Sequence, residues 1–379
     1  MNPLKSLFLV GVATVSLSSA AHAQTELRLT GSTAFRSATH AAITKILAPG
    51  YRATHVGSTL GSAGQATFSG TLLGTTEEVV IKTSWSGSVG GVQTVSQNID
   101  VNFIPVSALP ASGTTTGAAP GAEAGKPDVA MTDNFQAATP FPSPVLVDKP
   151  VGVVPFKWVA SKGAPAGLSN INPQLAQAVF GAGSAALSLF TGLAADEGMK
   201  VFATGRDPDS GTRLTTFAEA GVGVNAEVVQ YQPSISSGAV TAHVPWPETV
   251  VNGITFRTGN GGYSSGGSLV TTMQATTAAL SGYYVSYMGL SDATSAINNG
   301  TGAKELTYNG VLYSLDNVKN GLYTFWCYEH LMYKSSLTGV KKTVADTLAT
   351  QIETFDAPIK LSDMRVSREA DGGLVTAKF

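Results

Sequence analysis

The sequence predicts an α/β fold built on mostly parallel sheets. Three observations point there. Apolar, strand-like segments alternate with helical ones along much of the chain. The joints from strand to helix are turns of small residues. And 43% of the 379 residues are hydrophobic, enough to build a sizeable core in two domains or one large unit. Only 13% are charged, and 23 basic against 25 acidic residues leave a net charge of −2. That balance argues against nucleic acid as the main partner, because phosphate backbones demand a basic excess. A single cysteine, Cys327, excludes a disulfide framework and multi-cysteine metal sites. Its aromatic neighbours predict a buried, inert thiol.

Residues 1–23 read as a secretory signal peptide. Lys5 gives the positive start, Leu7 to Val15 the apolar stretch, and Ala21-His22-Ala23 the small-x-small cleavage site. The apolar run is shorter than the roughly 20 residues of a membrane span. The mature protein is expected to be exported and soluble, in a bacterial periplasm.

Residues 25–30 alternate as a strand with Leu27 and Leu29 on one face. The turn Gly31-Ser32-Thr33-Ala34-Phe35 follows, then a helix from Arg36 to Leu47 stopped by Pro49-Gly50. From Gly57 to about Lys126 the chain is rich in Gly, Ser and Thr, with a β-like alternation over 78–85. This predicts a surface hairpin and a flexible connection. Regular texture resumes with strands over 128–131 and 151–160, a helix over 170–180 and a strand over 199–204. A turn over 206–212 leads to a helix over 213–220. A helix over 264–280, a strand over 282–289, and helices over 323–333 and 344–355 complete the reading. No internal repeat is present.

Two of the strand-to-helix turns carry a distinct chemistry. Gly31-Ser32-Thr33 and Asp209-Ser210-Gly211-Thr212 offer hydroxyls and free backbone amides at the positive end of a helix, a natural oxyanion site. Arg206, four residues before Ser210, adds a guanidinium fork suited to phosphate-like geometry. In open α/β sheets, ligands bind at such carboxyl ends of strands.

Taken in order, these segments resemble the periplasmic phosphate-binding proteins of ABC transporters, in the type II solute-binding superfamily. The resemblance rests on Leu29-Thr30-Gly31-Ser32-Thr33-Ala34-Phe35, a Gly-Ser-rich second turn at Gly57-Ser58 or Gly61-Ser62-Ala63-Gly64, and Asp128-Val129-Ala130-Met131-Thr132-Asp133. It continues through Arg206, Ser210-Gly211-Thr212 and Phe217, then Asn260-Gly261-Gly262 and Gly282-Tyr283-Tyr284-Val285. It implies a two-lobed fold with two hinge crossings, near 151–155 and 285–288. Lobe 1 would hold 24–152 plus 288–379, with an insertion at about 59–125, and lobe 2 would hold 153–287. It also implies a site in which Ser32, Thr33 and Phe35 give amide and hydroxyl contacts and Ser58 or Ser62 a hydroxyl. Asp133 would accept a proton from the ligand, Arg206 would give paired donors, and Ser210, Gly211 and Thr212 would close the cage. A carboxylate facing an oxyanion is repulsive unless the ligand brings a proton, which phosphate does and sulfate at neutral pH does not. The resemblance implies a monomeric binding protein for inorganic phosphate, with an inner-membrane ABC permease as partner, no cofactor and no catalysis.

The sequence departs from the family pattern in places. Pro208 stands where the family places an acidic residue between the Arg and the Ser, leaving Asp207 or Asp209 to substitute. Arg36 directly after Phe35 is a further departure. A competing constellation is Gly262-Tyr263-Ser264-Ser265-Gly266, which fits the nucleophile elbow of secreted α/β-type serine hydrolases. Asp292 and His330 follow it in the required order. His40, His55, His243 and His330 have no ligand-like spacing, so no metal site is expected.

Overall fold

The computed structural model describes residues 24–251, 253–276, 280 and 282–378. The expected signal peptide lies outside them. In chain order the main elements are β1 (Thr25–Gly31), α1 (Arg36–Ile46), β2 (Arg52–His55), β3 (Gln65–Thr71), β4 (Glu78–Ser84), α2 (Ser88–Gln97) and β5 (Val129–Thr132). Then come β6 (Val147–Ala160), α3 (Pro173–Ala182), β7 (Ser184–Ala186), β8 (Lys200–Ala203) and α4 (Gly211–Glu219). The chain ends with α5 (Gly266–Gln274), β9 (Gly282–Gly289), α6 (Leu290–Ile297), β10 (Lys304–Tyr308), β11 (Trp326–Tyr333) and α7 (Gly339–Gln351). Among the described residues no helix is long and apolar enough to cross a membrane.

Thirteen strands among the described residues form one mixed sheet, in the order β7-β8-β9-β6-β11-β5-β1-β4-β3-β2. Thr114–Thr115 extends the edge at β2, while β10 pairs with both β6 and Asn170–Ile171. The fold is α/β with two parallel centres. In one half β1 lies parallel to both β4 and β5, and in the other β8 lies parallel to β9. Between them run β6 and β11, antiparallel to each other and to their outer neighbours β9 and β5.

Both halves share β6. Its residues from Val147 to Pro155 pair with β11, and Phe156 to Ala160 pair with β9. Residues 151–155, expected as the first crossing, lie in the part of β6 that pairs with β11. Val285 to Met288 lie within β9, paired with Ala160 to Lys157, and β10 also stays beside the far end of β6. The chain comes back to the β5 side in β11.

Local chemistry explains most elements. In α1 the buried Thr39, Ala42, Ile43 and Ile46 recur at helical spacing and face the sheet. In α3 the Asn172 side chain accepts from the Leu175 amide, Pro173 opens the first turn, and Gly183 ends the helix at φ 82°. The core is continuous across both halves. Trp158 stands 5.4 Å from Phe325 and 5.9 Å from Tyr287, ring centre to ring centre.

Three expectations need correction. Within residues 57–126 the run 111–122 is mostly exposed loop as expected, but the hairpin is not a surface one. β3 and β4 belong to the main sheet, with Phe68, Val79 and Ile81 fully buried, and α2 packs Val89, Val92 and Val95 inside. Small residues hide this helix from composition. Gly91 is there because a Cβ would come within 2.6 Å of the Gly31 Cα. Second, the segment expected as a helix over 323–333 is β11. All eight of its residues are buried, and a strand covered on both faces reads as an apolar run without period-two alternation. Third, α5 ends at Gln274 rather than 280. Cys327 is buried in β11, and burial pushes its thiol well above the usual range.

Candidate anion-binding site

The parallel arrangement of β1, β4 and β5 brings their carboxyl ends to one edge. Three loops start there: Ser32 to Phe35 before α1, Trp85 to Gly87 before α2, and Asp133 after β5. They are tied to one another. The Ser32 amide donates to the Met131 carbonyl at 2.8 Å, and the Gly87 amide to the Gly31 carbonyl at 2.8 Å. Gly31, at φ 116°, packs so closely on the Met131 carbonyl that any Cβ would overlap it. From the other half, β8 ends at Ala203 and the chain turns through Arg206 to α4. Ser210 caps α4 by accepting from the Arg213 amide at 3.3 Å.

The two sets of loops meet. The Val89 and Gly90 amides, in the first turn of α2, both donate to the Asp209 carbonyl, at 3.0 and 3.4 Å. Asn134 Nδ2 donates to Thr215 Oγ1 at 2.9 Å, and that hydroxyl lies 3.3 Å from the Asp133 carbonyl, to which it donates. Gly211 abuts the Asp133 carboxyl, where a Cβ would collide with Oδ1. Arg206 is the third bridge. It is almost fully buried, and its Nη2 reaches Thr33 Oγ1 at 3.5 Å. Its Nε and Nη2 also donate to the Tyr263 and Ser264 carbonyls, at 3.0 and 2.8 Å, which fixes the guanidinium plane. Behind it, Arg213 Nη1 and Gln230 Nε2 donate to the Arg206 carbonyl.

Charges in the site are mixed. Burial raises the Asp133 pKa, opposed by a hydrogen bond from Ser88 Oγ and by the Arg206 guanidinium. Burial likewise pushes Asp207 up to about 6, against the pull of Arg206 and Arg213. Arg36 does not lie on the solvent face of α1. It sits near Asp292 and Arg206, and Asp292 in turn is raised by burial and lowered by both arginines. At the starts of α1 and α4 the first-turn amides have no backbone partner within the helix, and in α4 the Ser210 hydroxyl takes the Arg213 amide. A groove lined by Val89, Phe141, Pro208, Asp209, Arg213 and Leu214 opens where α2 and α4 meet.

Of the residues singled out from sequence, Ser32, Thr33, Asp133, Arg206, Ser210, Gly211 and Thr212 fall at this junction. Phe35 is there by its backbone, while its ring is buried under Gly152. Ser58 and Ser62 do not join it. Both are exposed in the β2–β3 connection, where Ser62 Oγ pairs with Thr59. The second serine-bearing turn at the junction is Ser86-Gly87-Ser88, separated from β2 by the β3–β4 hairpin. Sequence reading also passed over Glu329 and Asp371. The elbow, acid and histidine of the hydrolase reading do not assemble. His330 Nδ1 is paired with Asp148 at 2.8 Å, whereas the Asp292 carboxylate lies against Gly266 at the start of α5.

No protein-family model and no curated protein matches the chain. Solved structures match it over most of its length at low identity. An ABC-type phosphate transport receptor from Vibrio cholerae is 10% identical, with TM-score 0.45, covering 86% of this chain and 93% of that one. A phosphate-binding protein from Stenotrophomonas maltophilia is 12% identical, with TM-score 0.44, covering 93% and 87%. The OxyR2 regulatory domain from Vibrio vulnificus is 8% identical, with TM-score 0.40, covering 87% and 94%. Phosphate-binding proteins of ABC transporters are thus among the solved structures to which this chain is similar.

Proposed function

We propose that this chain is an exported solute-binding protein that captures inorganic phosphate, or a related protonated oxyanion, between two lobes and hands it to an inner-membrane ABC permease. In this reading the protein is not an enzyme, works in the periplasm as a monomer after loss of residues 1–23, and hinges where β6 and β11 pass between the halves. The observation that carries the reading is the meeting of Arg206 from one half with Thr33 and the first turn of α1 from the other, beside the buried Asp133 carboxyl at the start of α4. Donors from both sides engage at once only when the halves are together, so ligand binding and closure are one event. Asp133 takes the ligand's proton, and an oxyanion without one leaves a buried acceptor facing it.

Isothermal titration of refolded, dialysed protein tests this. One-to-one phosphate binding with no sulfate heat is expected. Arg206→Ala removes a buried charge-assisted donor worth about 2–5 kcal/mol, so its phosphate affinity should fall roughly thirtyfold or more. Asp133→Asn should gain sulfate binding relative to phosphate. Wild-type affinity in Arg206→Ala would refute the site.

A further inference from the structure

The floor of the junction holds a second carboxyl. Glu329 of β11 stands one residue before His330, which pairs with Thr132 at the end of β5, and its carboxyl lies near enough to Asp133 to feel its charge. Glu329 is wholly buried. Neither of its carboxyl oxygens has a hydrogen-bond partner among the described residues, and neither has the buried Ser32 Oγ. A buried carboxyl with no bonded partner is costly as an anion, and a buried neutral acid still needs an acceptor for its O–H.

The groups around it do not supply a counter-charge. Asp133 acts on it from the end of β5 and Cys327 lies two residues away on β11 itself. Asp133 in turn raises Asp371, from the C-terminal segment, and is itself lowered by Arg206, from the other half. Neighbouring His330 acts on Asp133 too, with its Nδ1 bonded to Asp148. Among the described residues no group of His, Cys, Asp and Glu is arranged to hold a metal ion. Burial, and then the like charge of Asp133, drives Glu329 well above the usual carboxylate range. The Ser32 hydroxyl lies near enough to oppose this slightly without reaching hydrogen-bond geometry.

We propose that Glu329, beside Ser32, forms the floor of the ligand site and donates its acid proton in a hydrogen bond to the bound oxyanion. This rests on the phosphate reading above and adds to it. Asp133 accepts from the ligand's own hydroxyl, while Glu329 donates to an unprotonated oxygen. The pair together recognises an oxyanion that carries both. No proton is transferred in the bound state, and ionisation of Glu329 at high pH removes the donor and adds a repulsive charge, so affinity falls as pH rises through its pKa.

The test compares wild type, Glu329→Leu and Glu329→Gln by phosphate titration calorimetry and infrared spectroscopy. Glu329→Leu should bind phosphate at least about tenfold more weakly while unfolding at or above the wild-type midpoint. Glu329→Gln keeps a donor in the same place and should recover most of that loss, without the fall at high pH. The wild type should show a protonated-carboxyl band at neutral pH that shifts on adding phosphate and is missing in Glu329→Gln. Equal affinity in wild type and Glu329→Leu would overturn the role of Glu329 while leaving the phosphate reading intact. If Glu329→Leu fails to fold, a band unmoved by phosphate in the wild type overturns it instead. A wild type that binds no phosphate overturns both.

Discussion

Asp371 shows how a single buried acid sets the response of the protein to pH. Its Oδ2 accepts from the Phe135 amide at 3.0 Å, yet burial dominates and pushes it up to about 8, with Asp133 adding to the rise. In the unfolded chain the same carboxyl releases its proton near pH 4, at about 3.9. Between these values the native state holds a proton that the unfolded state has lost. Stability from this group is therefore greatest below pH 4, falls as pH rises, and is fully lost above pH 8. Asp371→Asn keeps an oxygen that can accept from Phe135 and cannot ionise. Thermal unfolding at several pH values should show a flatter profile in Asp371→Asn and a higher midpoint than wild type at alkaline pH. Each kcal/mol relieved is worth about 1–2 °C in a chain of this size. An unchanged slope would mean that Asp371 is charged in the native protein. Arg206 and Asp133 were legible at this scale because Arg206 precedes a Ser-Gly-Thr turn and Asp133 ends a strand. Glu329 was not, since a glutamate inside an aromatic strand offers no local signal until the register with β5 is known.

Among the elements, α2 carries one of the contacts between the halves, and it was the one least visible in sequence. Its opening Ser88-Val89-Gly90-Gly91 reads as loop by composition, and the β3–β4 hairpin separates it from β2. A reading that looked for the serine-bearing turn directly after β2 therefore reached Ser58 and Ser62. The pairs β1 with α1 and β8 with α4 were legible because alternation, a small-residue turn and apolar helical spacing agree there. β11 was misread as a helix because both of its faces are covered. Gly87 is the point at which the role of α2 can be tested. It has φ 111°, and a Cβ there would collide with the Asp209 carbonyl that accepts from Val89 and Gly90. Gly87→Ala should keep the halves apart, lower phosphate affinity about tenfold or more, and leave a larger hydrodynamic radius at saturating phosphate. The positive φ alone costs about 1–3 kcal/mol of stability. Strain without blocked closure would lower the unfolding midpoint yet leave affinity unchanged, and that result would remove α2 from the closing contact.

At the scale of the whole molecule, the halves share one sheet, and the C-terminal segment runs back over the crossing. The Ile359 carbonyl accepts from Val153 in β6 at 3.0 Å, and the Arg365 amide donates to the Lys319 carbonyl at 2.9 Å. Arg368 is the anchor. Its side chain is fully buried, lies 4.1 Å from the centre of the Trp326 ring, and donates to the Thr324 and Trp326 carbonyls and to Glu219 of α4 at 3.0 Å. One guanidinium thus joins the tail, the start of β11 and the helix whose first turn meets Asp133. Burial raises Glu219, and Arg368 is the first force that opposes it. Arg368→Ala should cost about 3–5 kcal/mol in urea unfolding, because it leaves a buried carboxylate without its partner. The sign with pH follows from Glu219. With its partner gone, its native pKa rises further above the unfolded value of about 4.3, so the loss grows as pH increases above that value and shrinks in mild acid. Adding Glu219→Gln to Arg368→Ala removes the stranded charge and should restore part of the stability at neutral pH, with little gain in mild acid. A deficit that is independent of pH, and that Glu219→Gln does not relieve, would assign the work of Arg368 to its packing on Trp326 and its carbonyl bonds alone.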